Sequence, residues 1–120
     1  MTKPSTKYAN HISSMTDTKL EQVAARFRVL GEPMRLKILK TICDSEKSVQ
    51  EIVAATGAGQ ANVSKHLSLM YENGIVERRK DGLNCFYKLA DDGIFEICQI
   101  ASKGVEKSLT LKLRRWQSTK

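Results

Sequence analysis

The 120-residue sequence predicts a mainly α-helical fold with one small β-hairpin. Two observations support this prediction. Apolar residues recur every three or four positions through most of the chain, which is typical of amphipathic helices. Near residue 80 this pattern gives way to two short runs on either side of Asp81-Gly82, a dipeptide typical of tight hairpin turns. The length suits one domain, because so short a chain can bury only one modest core.

The first predicted helix begins at Thr18, which has the capping-box spacing with Glu21. Its apolar positions are spaced for a single buried face; they are Leu20, Val23, Ala24, Phe27 and Leu30. Gly31 can end this helix, and Pro33 suits the first turn of a second helix that we expect to end within Cys43–Ser45.

A pair of short helices follows. Ser48 and Glu51 repeat the capping-box spacing at the start of a third helix, which we expect to end near Ala55. A glycine-containing segment, residues 56–59, then separates it from a fourth helix over Gln60–Glu72. Two short helices across such a turn form a candidate helix-turn-helix.

The hairpin and one further helix complete the prediction. If Asp81-Gly82 forms the turn, Arg78 pairs with Cys85 and Val76 pairs with Tyr87. The apolar spacing after Gly93 predicts a long last helix whose basic end should fray. We therefore divide the chain into a flexible arm (residues 1–15), one folded domain (16–116) and a tail (117–120).

A helix-turn-helix followed directly by a basic hairpin predicts a winged helix-turn-helix. In that fold the second helix of the pair can enter the major groove of DNA while the hairpin lies along the adjacent backbone or minor groove. The formal net charge of +7 also favours a polyanionic partner. The candidate DNA-contacting residues are Gln60, Asn62, Ser64, Lys65, His66, Arg78, Arg79, Lys80 and Asn84.

These residues suit different contacts. Gln60 and Asn62 can pair with adenine through two hydrogen bonds, whereas Ser64 and Lys65 suit phosphates. For His66, packing and phosphate contact are alternatives. Alternatively, all of these residues have no ligand and simply form the solvent-exposed face of a helix and the soluble edge of a hairpin.

Several motifs in order resemble one known family. They are Leu30-Gly31-Glu32-Pro33-Met34-Arg35-Leu36-Lys37-Ile38-Leu39, Ser48-Val49-Gln50-Glu51-Ile52, Gln60-Ala61-Asn62-Val63-Ser64-Lys65-His66-Leu67, Asn73-Gly74-Ile75-Val76 and the run from Gly82 to Leu89. This arrangement resembles the ArsR/SmtB family of prokaryotic repressors over residues 20 to 90. The resemblance implies an obligate homodimer built on the first and last helices. It also implies a palindromic double-stranded DNA operator that is released when an inducer binds.

This chain lacks the residues that form the metal sites known in that family. Its thiolate sites use a Cys-x-Cys pair on the helix before the recognition helix, where this chain has Ser48-Val49-Gln50-Glu51-Ile52. Its zinc or nickel sites use histidines on the last helix, but residues 93–116 contain none. We therefore expect no metal and no cofactor, with an As(III)-type site that the three cysteines form across a dimer as the alternative.

Cys43 and Cys98 are the candidate thiol switch, because they resemble the cysteine pair of the redox- and sulfide-sensing family members. Their register differs from that pattern: Cys43 lies about one turn late and Cys98 lies in the first half of its helix. Inert, buried thiols are the alternative, and packing accounts for Cys85. A regulator with neither a thiol nor a metal switch also stays open.

Other classes of protein fit less well. An enzyme would need clustered acids, bases or nucleophiles, whereas the histidines and cysteines here are scattered. No apolar run is long enough to span a membrane or to serve as a signal peptide, so we expect a cytoplasmic protein. A winged helix used for protein or RNA contacts is the remaining rival, and the basic helix and scarce aromatic residues disfavour it.

Overall fold

The computed structural model describes residues 11–118 as a set of helices around a three-stranded antiparallel sheet. In chain order the elements are α1 (Asp17–Leu30), α2 (Pro33–Ile42), β1 (Lys47–Ser48), α3 (Val49–Thr56), α4 (Gln60–Glu72), β2 (Val76–Asp81), β3 (Asn84–Leu89) and α5 (Asp92–Ser118). α3 and α4 form the helix-turn-helix, and β2 and β3 form the wing. The predicted fold class is confirmed.

α1 begins earlier than the sequence motif predicts. Its N-cap is Thr16, whose side-chain oxygen accepts a hydrogen bond from the backbone N–H of Lys19 at 3.2 Å. Thr18 lies inside the helix, so the predicted capping box with Glu21 is wrong. The physical reason is that Thr16 caps the helix while Asp17 places a negative charge at its positive end.

The two helices of the helix-turn-helix begin and end where the local capping residues predict. The Ser48 side chain accepts from the backbone N–H of Glu51, and the Glu51 carboxylate accepts from the backbone N–H of Ser48. Gly57 ends α3 with a φ of +73°, a left-handed conformation that favours glycine. α4 then covers Gln60–Glu72, the bounds that the sequence predicts.

The wing has a different register from the predicted one. Arg78 pairs with Tyr87 and Val76 pairs with Leu89, so the expected pairing of Arg78 with Cys85 and Val76 with Tyr87 is wrong. The strands meet at Asp81 and Asn84, which leaves Gly82-Leu83 as the loop. Gly82 has a φ of +62°, and glycine in the first loop position is typical of a type II′ turn.

Strand β1 is an addition that the sequence did not predict. Its two residues pair with β3, Lys47 with Tyr87 and Ser48 with Phe86, which gives the sheet order β1-β3-β2. Because β1 directly precedes α3, this pairing attaches the base of the wing to the helix-turn-helix. The wing is therefore anchored on both sides of β3.

The hydrophobic core joins the helices to the inner face of the wing. Its buried residues are Val29, Leu30, Ile38, Leu39, Ile42, Val49, Ile52, Val63, Leu67, Met70, Ile75, Val76, Tyr87 and Ile94. Since α2, α3, α4 and the wing all contribute to one cluster, the orientation of α4 is fixed by packing against several neighbours.

α5 is 27 residues long, but only its first turns are packed. Ile94 is buried, whereas all side chains from Gln99 to Gln117 are exposed. Large apolar residues are among the exposed ones; they are Ile100, Val105, Leu109, Leu111, Leu113 and Trp116. Phe27 of α1 is also exposed, so both flanking helices present apolar surface.

The ends of the chain are only partly described. Residues 11–13 form a helical turn within the segment expected to be a flexible arm, and α5 continues through residue 118. Residues 1–10 and 119–120 lie outside the described residues. The division into arm, domain and tail stays a prediction.

The capping box makes a stability prediction. Ser48→Ala removes the acceptor for the backbone N–H of Glu51, so we expect a loss of about 1 kcal/mol in the free energy of unfolding. Urea denaturation at one fixed protein concentration measures it. Ser68→Ala, on the exposed side of α4, is the control and should change stability by less than about 0.5 kcal/mol. Equal losses in the two variants would contradict the assignment.

Candidate nucleic-acid interface

One face of α4 is fully buried, and this decides which residues point outward. Val63, Leu67 and Met70 have 0% exposure and lie along one side of the helix. Because a residue advances about 100° around an α-helix, the opposite side carries Ala61, Lys65 and Ser68. All of these opposite residues are exposed.

The other predicted residues of α4 flank that exposed line. Asn62 and His66 lie four residues apart on one flank, and Gln60 and Ser64 lie four apart on the other. Gln60 and Asn62 are exposed, while Ser64 and His66 are half-buried. Lys65 thus lies opposite the core and Asn62 and Ser64 lie on the two flanks, whereas Gln60 and His66 lie nearer the buried side.

The start of α4 is open to a ligand. Its N-cap residue is Gly59, and no side chain caps the first turn. The backbone N–H groups there can therefore donate hydrogen bonds to an anion such as a phosphate, which the positive end of the helix dipole also favours.

Arg78 joins the wing to the end of α4. Its guanidinium lies over the ring of Tyr71, 4.2 Å from the ring centroid. A side-chain hydrogen bond with Tyr87 raises the pKa of Arg78 above its usual value. Arg78 remains exposed, so its charge stays accessible although two tyrosines hold its position.

Arg79 lies on the opposite face of the wing and is held by carboxylates. Two of its nitrogens donate to the Glu46 carboxylate, the shortest contact being 2.7 Å, and Asp81 lies 3.6 Å away. The guanidinium also stacks on Phe86 at 4.6 Å from the ring centroid. Because two carboxylates offset its charge, Arg79 has less capacity to neutralise a phosphate than an unpaired arginine would have.

The tip of the wing carries the remaining predicted residues. Lys80 and Asn84 are exposed, and Lys80 forms no ion pair with any residue in 11–118. Between them in the loop, the Leu83 side chain is fully exposed. Leu83 was not predicted as a candidate, and a correct assignment of Gly82-Leu83 as the loop would have drawn attention to it.

Glu46 is a second residue that the sequence reasoning missed. The pKa of Glu46 is lowered, chiefly because the Arg79 side chain donates hydrogen bonds to its carboxylate. This ion pair connects the segment before β1 to the outer face of the wing. No local sequence signal points to it, since the partners are 33 positions apart.

The cysteines lie in two places. Cys43 is exposed at the end of α2, where its thiol donates to the Lys40 carbonyl at 3.1 Å. Cys98 is half-buried in α5, and burial raises the pKa of its thiol. Both line a cavity of about 390 Å³ between α2, the end of β3 and α5. Cys85 lies in the wing opposite Lys80.

Residues 11–118 contain neither a metal-binding cluster nor a membrane-spanning helix. Between residues 11 and 118, no group of three or more His, Cys, Asp or Glu side chains is placed to hold a metal ion. In the same range, no helix has the length and apolar character needed to cross a membrane.

Comparison with known proteins identifies the family. Residues 32–78 match the bacterial regulatory proteins of the arsR family. The chain is 34% identical over 84 residues to the probable mercury resistance operon repressor of Streptomyces lividans, covering 70% of this chain and 67% of that protein. It is also 34% identical over 86 residues to the biofilm growth-associated repressor of Xylella fastidiosa, covering 68% and 75%. The chain belongs to the ArsR family.

A solved structure has the same fold. It is the homodimeric winged helix-turn-helix DNA-binding domain of a possible ArsR-family regulator from Mycobacterium bovis, determined in solution. The TM-score is 0.70 at 27% identity, with 80% of this chain and 92% of that chain covered. The expectation of a DNA-binding transcriptional regulator is therefore confirmed, and this ArsR protein is not an enzyme.

The Glu46–Arg79 ion pair makes a pH prediction. A carboxylate whose pKa is lowered by folding stabilises the folded state above its unfolded pKa, and the effect is lost as pH falls through the folded pKa. Glu46→Gln should therefore lower the urea midpoint slightly at pH 7, and the difference from the wild type should vanish as pH falls below the ordinary value of 4.5. A difference that persists unchanged at pH 3 would rule out this ion pair as its source.

Proposed function

We propose that this ArsR protein is a homodimeric transcriptional repressor that binds a palindromic operator in double-stranded DNA and releases it when an inducer acts. The proposal rests on the outward polar face of α4 with the wing held beside it. We place this activity in the cytoplasm, where prokaryotic DNA lies.

α4 suits the major groove. Gln60 and Asn62 are exposed near its start, the part of a recognition helix that contacts base edges. Lys65 is exposed one turn further along and suits a phosphate, as does Ser64. We assign His66 to phosphate contact or to packing beside the interface, since it is half-buried.

The wing supplies the contacts beside the groove. Lys80 and Asn84 at its tip, together with Arg78 near its base, are exposed and suit the DNA backbone or the minor groove. Arg79 is the weakest candidate for a phosphate because Glu46 already pairs with it. We assign Arg79 chiefly to holding the wing in place.

The exposed apolar surface of α1 and α5 supports a dimer. Phe27, Val105 and Leu109 are each more than half exposed, which is costly for a free monomer in water. A second copy would cover them, and a two-fold dimer presents two α4 helices to two half-sites of an inverted repeat. The Mycobacterium bovis structure is described as homodimeric.

Selection of tight binders from a random duplex pool tests the operator. We expect an inverted repeat with half-sites about 10 base pairs apart, centre to centre. Fluorescence anisotropy should then show about 10³-fold or greater preference for the selected duplex over a scrambled one at physiological salt. Equal affinity for the two duplexes would refute sequence-specific binding.

Two variants separate base contacts from phosphate contacts in this assay. Asn62→Ala should lose about 1–3 kcal/mol of discrimination at one base pair in each half-site. Lys65→Gln should weaken binding to both duplexes and reduce the slope of log affinity against log salt by about 1 for each protomer. The reverse pattern would contradict these assignments.

The switch that we favour is oxidation of Cys43 and Cys98. Both line one cavity, and the accessible Cys43 is the better first reactant because burial raises the pKa of Cys98. A peroxide would oxidise Cys43 to the sulfenic acid with release of one water. The Cys98 thiol would then displace the hydroxyl as a second water to form a disulfide, so that two electrons pass from the two sulfurs to the peroxide.

Such a disulfide would join α2, which packs on α3, to α5, which carries the exposed apolar surface. It would therefore change the position of α4 relative to the dimer axis. The alternative is an As(III)-type site that the three cysteines would form across the dimer; within one chain, Cys85 lies in the wing and does not line the cavity of Cys43 and Cys98. A regulator without either switch is the outcome if the thiols prove inert.

Peroxide treatment tests the switch. We expect a Cys43–Cys98 disulfide in non-reducing peptide mapping, together with a loss of operator affinity of about 5- to 150-fold, the usual size of such coupling. Cys43→Ser and Cys98→Ser should not respond, whereas the matched control Cys85→Ser should respond like the wild type. An unchanged affinity in oxidised wild-type protein would exclude thiol switching.

A further inference from the structure

The cavity that contains the two cysteines has the character of a ligand pocket. Its volume of about 390 Å³ lies within the range of roughly 300–1,000 Å³ typical of small-molecule sites. Most of its wall is apolar, supplied by Leu36, Leu39, Leu89, Ile94 and Phe95. A polar molecule without apolar parts would lose hydration there and gain little in return.

One charged side chain lines this pocket. Lys40 contributes the only cation among the lining residues, and none of them is acidic. Lys40 also forms no ion pair with any other residue of the described chain, 11–118. Its charge is thus available to an anionic group at the edge of a mostly apolar site, where the two can form a charge-assisted hydrogen bond.

We propose that this pocket binds a small apolar carboxylate, with the carboxylate group on Lys40 and the hydrocarbon part against the leucine, isoleucine and phenylalanine walls. We further propose that occupancy of the pocket changes the affinity for DNA. This second statement rests on the proposed function, whereas the first does not.

Shared core contacts link the pocket to α4. Leu39 lines the pocket and also belongs to the buried core that contains Val63 and Leu67 of α4. α2, which carries Leu39 and Lys40, packs against α3 and α4. A ligand that contacts Leu39 therefore touches the same cluster that fixes the orientation of the recognition helix. Coupling between the two sites must be reciprocal.

Isothermal titration of the reduced 120-residue chain with sodium decanoate tests the pocket. We expect saturable binding of one decanoate per chain. Octanoate should bind about fifteenfold more weakly, because each methylene placed in an apolar site contributes about fourfold. Decanol, which lacks the charge, should bind at least tenfold more weakly than decanoate.

Matched lysine variants locate the anionic group. Lys40→Gln should weaken decanoate binding at least tenfold, whereas Lys37→Gln, an exposed lysine of α2 outside the pocket, should leave it unchanged. Ser102→Trp should abolish binding by filling the pocket from α5. Sedimentation confirms that each variant keeps the oligomeric state of the wild type, and circular dichroism confirms that it is folded.

The outcomes are distinct. The proposal is overturned if decanoate does not bind, and this includes the case in which a second copy covers the pocket. It is also overturned if Lys40→Gln and Lys37→Gln weaken decanoate binding equally. Anisotropy with the selected duplex then measures coupling: a change in affinity at saturating decanoate supports it, and no change refutes it. If no duplex is bound even without decanoate, the proposed function fails while the titration still decides the pocket.

Discussion

The burial of Val63, Leu67 and Met70 is the constraint on which the rest of the molecule depends. These side chains have no exposure, and they lock one side of α4 against α2, α3 and the wing. Because residues advance by about 100° around the helix, the burial of this face turns Asn62 and Lys65 away from the core. The DNA-contacting face is therefore a consequence of core packing, and truncating the core would disturb recognition without removing any polar group.

The wing depends on a second layer of contacts. The guanidinium of Arg78 lies on Tyr71 at the end of α4, and Arg79 pairs with Glu46 ahead of β1. Two adjacent arginines on opposite faces of one strand thus attach the wing to the helix-turn-helix from both sides. A hairpin fixed in this way can present Lys80 to a phosphate with little loss of conformational freedom on binding.

The sequence was informative where the determining forces are local. The Ser48–Glu51 capping box and the apolar spacing of α4 are short-range, so both helices of the helix-turn-helix could be predicted. The register of the wing could not, because Asp81-Gly82 and Gly82-Leu83 are both plausible loops and the two registers place the same side chains on the inner face. The Glu46–Arg79 pair and the shared cavity of Cys43 and Cys98 join distant segments, so they required the structure.

Chemical protection of the bound DNA tests most directly whether α4 reads the major groove. Dimethyl sulfate methylates guanine N7 in the major groove and adenine N3 in the minor groove. The account predicts that the bound protein protects guanine N7 atoms in two half-sites about one helical turn apart, and that Asn62→Ala reduces this protection. Protection of adenine N3 alone, with every guanine N7 still reactive, would contradict it.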